Sequence, residues 1–201
     1  MSAQKTAESA AQKYWIDENN GPLGNMKDNG PDQPGPRIIA VTQVAASQEI
    51  SALASLKIFC VEMYNPMSRI AGPGSIFYTL ILKDDQPSTY LHSDEELTKA
   101  IESLSQFQLK NLTEAKAFAK LFAEARGYQW RDHKPEDIDH LPKDFTFEPS
   151  FESSTDGAWT LLFTVLKDPA TDQYVQFKLT VSKIGKIQIE IIKSHQNRYY
   201  S

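Results

Sequence analysis

The chain has 201 residues, 40% hydrophobic and 23% charged, a makeup suited to one substantial globular domain, with or without a tail. A formal charge of −5 and a pI near 5.4 argue against a nucleic-acid binder, which ordinarily carries a basic face. No apolar run approaches a membrane span, and a single cysteine rules out an intrachain disulfide or a cysteine metal cluster.

The first residues lack an apolar signal core, which is read as a cytoplasmic protein or an exported one whose signal has been removed. Ala3, Ala7, Ala10, Ala11, Tyr14 and Trp15 recur at roughly helical spacing, so a short helix presenting Tyr14 and Trp15 together is expected. Free helices of that length are marginal in water, so the pair should dock, on the domain's own surface or on a protein partner. Residues 16 to 37 are rich in Gly, Pro, Asn and Asp and predict a linker, making 1–36 a flexible N-terminal segment.

An α+β globular domain is expected over 37–201, with a subdivision near residue 92. Ile38 to Val44 has strand composition. Between Ser47 and Tyr64 the period is ambiguous, and a short helix through about Leu56 with a strand from Ile58 fits best. Ser75 to Leu82 is apolar on both faces, as a doubly covered central strand would be, and Asp84-Asp85-Gln86-Pro87 is turn chemistry leading into a hairpin partner at Ser88 to Leu91.

Two helices follow. Ser93-Asp-Glu-Glu96 has the spacing of a capping box, with Leu97, Ile101 and Leu104 as the apolar stripe behind it. The second helix is predicted with Thr113 as N-cap, Ala115, Phe118, Phe122 and Ala125 inward, and Arg126-Gly127 as its close. Tyr128 to Lys143 is polar and irregular. Phe145, Phe147 and Phe151 then alternate, with Pro149 marking an edge strand or a bulge.

The last third alternates apolar and polar residues almost without error. Trp159, Leu161, Phe163 and Val165 share a face; so do Val175, Phe177, Leu179 and Val181, and then Ile187, Ile189 and Ile191. This is an antiparallel meander with one face on a core and one in water. The fold class is therefore α+β: a C-terminal four-stranded antiparallel meander, further N-terminal strands, and a helix pair packed on one face.

Chemistry-bearing patterns are sparse. Asp132, His133, Asp137, Asp139 and His140 are candidate ligands for a divalent metal, and a metal-assisted enzyme using the 132–140 segment is one reading. Their spacing matches no recurrent metal motif, and such residues also initiate turns, so a surface loop accounts for them and no cofactor is expected. Adjacent carboxylates at 84–85 and 95–96 have structural reasons in a turn and a helix start. No phosphate-binding glycine loop or nucleophile elbow occurs, and Cys60 lies among apolar residues as an inert thiol would.

The polar face of the meander is the remaining candidate surface. Thr160, Thr164, Gln176, Lys178, Thr180, Gln188 and Glu190 should project from it together. With Tyr14 and Trp15, the residues Thr164, Gln176, Lys178 and Gln188 are the candidate binding residues of a non-enzymatic accessory module that takes a protein partner, with no nucleic acid and no membrane insertion. A small-molecule site between helices and sheet, lined by Trp159 and Phe163, is the alternative.

Overall fold

The computed structural model describes residues 2–17, 37–64, 75–104, 107–134, 145–168 and 172–196. Most of the linker expected over 16–37 lies outside them, as do the C-terminal aromatics Tyr199 and Tyr200. The protein is α+β, with two antiparallel sheets and no helix, among the described residues, long and apolar enough to cross a membrane. It forms two compact units: one of Met1–Val44, Ser55–Ser93 and Ala125–Gly127, the other of Ala45–Ala54, Asp94–Glu124 and Tyr128–Ser201.

In the first unit, β1 (Arg37–Gln43), β2 (Leu56–Tyr64), β3 (Ser75–Lys83) and β4 (Gln86–Leu91) form an up-and-down antiparallel sheet in chain order. The N-terminal strands thus make a sheet of their own. β2 begins at Leu56, two residues before the position its alternation suggested, and the helix expected ahead of it is a pair of 3-10 turns, Ala45–Glu49 and Ser51–Leu53. Asp84 and Asp85 both adopt positive φ (51° and 59°), the twist that a two-residue hairpin turn requires.

One face of this sheet is covered by α1 (Ala3–Gln12), which continues as a wider π-helical turn over Lys13–Asp17. Ser2 caps α1 by accepting the Lys5 N–H. Ala7, Ala10, Ala11 and Trp15 fall on one stripe of the helix and pack with Phe59, Val61, Met63, Leu80 and Leu82. The short helix expected in the N-terminal segment thus packs on this sheet, with Ala7, Ala10, Ala11 and Trp15 in the unit's core, while residues 18–36 of that segment lie outside the described residues. Gly127 completes the unit at φ +69°, where an added Cβ would stand 2.2 Å from the Phe77 ring.

In the second unit, β5 (Gln129–Arg131), β7 (Trp159–Asp168), β8 (Gln173–Val181) and β9 (Ile187–Gln196) run in that order, with β6 (Ser150–Ser153) beside β5's position on the same edge of β7. β5 lies where an irregular polar segment was expected. Three residues are too few to show a period, and pairing with Thr164–Leu166 alone makes them a strand.

α2 (Asp94–Glu102) and α3 (Leu112–Ala125) are the predicted helix pair on one face of this sheet. Phe122 lies 5.4 Å from Phe177 and 6.3 Å from Phe163, ring centre to ring centre in edge geometries, and Phe118, Phe122, Phe163, Phe177 and Leu179 are all buried. Ile189 is only half-buried and Ile191 is 52% exposed, because β9 is the outer strand and the helices do not reach its far half. α3 is capped by Asn111, whose Oδ1 accepts the Glu114 N–H at 3.0 Å, not by Thr113, which lies inside the first turn. Glu114 is buried and returns the cap. Its carboxylate accepts the Lys110 N–H at 2.9 Å and the Ser51 hydroxyl at 2.8 Å, tying the 3-10 turn to the helix start.

Candidate functional site

The face of the second sheet opposite the helices is built from cross-strand rows. Thr160, Thr180 and Gln188 form one row, Leu162, Lys178 and Glu190 the next, and Thr164, Gln176 and Lys193 the third. The polar residues predicted to project together do share this face. They do not share one environment.

Thr164 is fully buried and Gln176 is 2% exposed. The Thr164 hydroxyl donates to the Thr146 carbonyl at 2.7 Å, and the Gln176 amide donates to the same oxygen at 2.9 Å. The segment 145–147 thus crosses this end of the sheet. Phe147 packs with Leu166 and Tyr174 in a small second core, and Phe145 lies against it. Thr164 and Gln176 are anchors for a covering segment, a correction to their reading as members of an open surface. Buried polar groups with a shared acceptor are satisfied, not waiting for a ligand.

The other end of the face stays open. Gln188 and Glu190 are exposed, and Thr160, Lys178 and Thr180 are half-buried. Beside them, the register between β8 and β9 shifts between Gln176 and Phe177, so that Ile192 is an extra residue on β9. Ile191 and Ile192 are 52% and 37% exposed at this edge, Ile191 on the helix side of the sheet as the partner of Phe177 and Ile192 as the bulge residue. Among the described residues β9 pairs with β8 alone, and its first N–H, that of Ile187, donates to Glu102 at 2.5 Å. The opposite edge of the sheet is divided between β5 and β6, both short. One edge of this sheet is blunted and the other is long. The isoleucines at the β9 edge were missed because their alternation marked them as core; the doublet Ile191-Ile192 breaks the period and was the available signal.

Tyr14 and Trp15 lie in the first unit. Trp15 is fully buried and stacked on Tyr78 at 5.3 Å, while half-buried Tyr14 stacks on Tyr90 at 3.8 Å. The docking expected of the pair takes place within the chain. Trp159, placed in a pocket wall by the small-molecule alternative, donates its indole N–H to the Leu109 carbonyl at 2.9 Å, and Phe163 is packed between Trp130 and Phe122.

The metal candidates divide. Asp132 and His133 are exposed neighbours, with Oδ1 2.8 Å from Nδ1, and this hydrogen bond holds the Asp132 carboxyl below its ordinary range. Asp137, Asp139 and His140 lie outside the described residues. Among the described residues no three carboxylate, imidazole or thiol groups converge as a metal site would need. Burial pushes the Cys60 thiol up to about 12, against the lowering influence of Arg126, so the group is a poor nucleophile at neutral pH.

Set against protein-family models, curated proteins and solved structures, the chain matches none of them.

Proposed function

We propose that the chain is a non-enzymatic binding module for a protein partner, which it takes on the open end of the second sheet's outer face and along the β9 edge. The observation that carries this reading is the pair of exposed isoleucines, Ile191 and Ile192, in a ten-residue edge strand flanked by Lys178, Gln188 and Glu190. An exposed edge offers main-chain hydrogen bonds to an added strand, and side chains on alternate positions supply selectivity. Apolar residues on such an edge are costly to leave open, since they invite pairing.

A photo-crosslinking residue placed at Gln188 tests this directly, with the same residue at Lys120, exposed on α3, as the control. A discrete adduct from position 188 and none from position 120 supports the reading. No adduct from 188, in the protein's native cells or in concentrated purified protein, overturns it.

A further inference from the structure

The β9 edge carries one more regularity. Lys178 and Gln176 are two apart on β8, so they face the same way, and their partners Glu190 and Lys193 must also share a face although they are three apart. The extra residue at Ile192 makes this so. Gln188 and His195, partners of Thr180 and Tyr174, fall on that face too.

Consider now a second β9 running antiparallel beside the first. A twofold axis perpendicular to the sheet keeps faces matched, and in a regular strand it opposes only residues of like parity. Across the bulge that rule changes. With Ile191 opposite the second copy's Ile192, Glu190 meets Lys193, Gln188 meets His195 and Ile189 meets Ser194, every row matched in face. Sliding the register by one residue sets polar-face positions against apolar-face ones. Sliding it by two leaves the faces matched in one direction, with Glu190 against His195, but parts Glu190 from Lys193 in both. The symmetric register is also the one that places opposite charges in facing rows, twice, around a centre of four isoleucines.

We infer that the partner fitting this edge is a second copy of the chain, joined through β9 from Gln188 to His195 about a twofold axis between Ile191 and Ile192. The pairing ends at Gln188 because the Ile187 N–H is already taken by Glu102. Bulges and charges ordinarily guard an edge against neighbours. Here they are self-complementary, and the same devices that refuse a generic strand accept this one. An interface of one strand pair is small, so the dimer is a weak, concentration-dependent one.

The inference rests on the binding reading above, and its test is separable from it. Sedimentation equilibrium on the full chain, from micromolar to millimolar concentration, should show a monomer–dimer equilibrium that weakens with added salt. Glu190→Lys and Lys193→Glu should each weaken it at least about tenfold, while an equimolar mixture of the two variants restores it, because every facing row is again of opposite sign. Glu190→Lys also sets a like charge beside Lys178, so its fold is checked by circular dichroism. Glu190→Gln serves as a milder variant, expected to weaken the dimer less than the reversal and, mixed with Lys193→Glu, to regain one of the two opposite-sign rows. A dimer indifferent to both reversals, or a mixture no stronger than its components, overturns the inference. A chain that stays monomeric while position 188 still captures a different protein overturns the self-pairing and leaves the binding reading standing. A monomer with no adduct overturns both.

Discussion

Both units lay helix across one face of an antiparallel sheet, yet they seal that face in opposite ways. In the first, α1 offers Ala7, Ala10 and Ala11, side chains with almost no bulk, and one large anchor, Trp15. In the second, α2 and α3 bring Leu97, Ile101, Phe118, Leu121 and Phe122 down together, with Phe122 meeting Phe163 and Phe177 edge-on. Small residues let a helix approach closely but leave each contact worth little, so attachment is staked on the anchor. Interlocked aromatics spread the same stabilisation over many partners, and none can leave without opening a cavity. The first arrangement suits local opening, the second a cooperative core.

The largest effect should come from the second unit. Phe177→Ala removes a fully buried ring and should cost about 3–5 kcal/mol, read as a global shift in urea unfolding. A cost under about half a kcal/mol would mean that Phe177 is not held as described.

Trp15→Ala should cost about 2–4 kcal/mol, but locally. Amide protection should vanish over residues 3–17 while β7 and β8 keep theirs. If α1 stays protected, the anchor is not the anchor and the contrast between the units breaks. Trp15→Phe sharpens the point. The buried indole N–H has no acceptor among the described residues, so Phe keeps most of the packing and removes an unsatisfied donor, for a net cost within about 1 kcal/mol.

Glu114→Gln should cost about 1–2 kcal/mol at neutral pH, since Gln keeps one acceptor oxygen and loses the charge. Burial raises the Glu114 pKa, but the hydrogen bonds from Lys110 and Ser51 outweigh it and leave the group below its ordinary 4.5. A depressed carboxylate contributes stability above the unfolded value and loses it as pH falls through the folded one. The gap between wild type and variant should therefore be constant above pH 4.5 and close below it. A gap that widens in acid would reverse the sign of the assignment.

The smallest effect is a silence. With its pKa pushed up to about 12, half-buried Cys60 should react with a disulfide reagent at pH 8 roughly a thousandfold more slowly than a free thiol. Reaction at the rate of a free thiol would place Cys60 in an open, electropositive setting.

The meander was legible because β7, β8 and β9 alternate for nearly their whole lengths, and a period of two is the mark of a strand with one covered face. The stripe of α3 was legible through its own period, that of a helix. Its start was not, since Asn111 and Thr113 are both capping residues two apart. Glu114, three after Asn111, has the spacing of a capping-box partner and distinguishes them, although its carboxylate accepts the N–H of Lys110, one residue before the cap. The fate of Thr164 and Gln176 was illegible in principle. What buries them is a carbonyl 18 and 30 residues away, and no local pattern reports a covering segment. The candidate surface was therefore read as one face when it is half floor and half surface. Ile191 and Ile192 show the converse, since a strand period reports which face a side chain takes but not whether anything lies upon it.

The two units exchange short pieces of chain, and this bears on how the protein can be made. Arg126, which donates to the His92 carbonyl at 3.1 Å, and the Ala125 carbonyl, which accepts the Thr79 hydroxyl at 2.7 Å, belong to the first unit but are translated after both α2 and most of α3. Ser51, which holds Glu114, belongs to the second unit but is translated before β2. A ribosome delivering this chain cannot finish the first unit before it has begun the second. Expression of either half from a cut at Ser93–Asp94 would yield a fragment lacking pieces encoded in the other, so the gene is divisible only in pairs of complementary fragments.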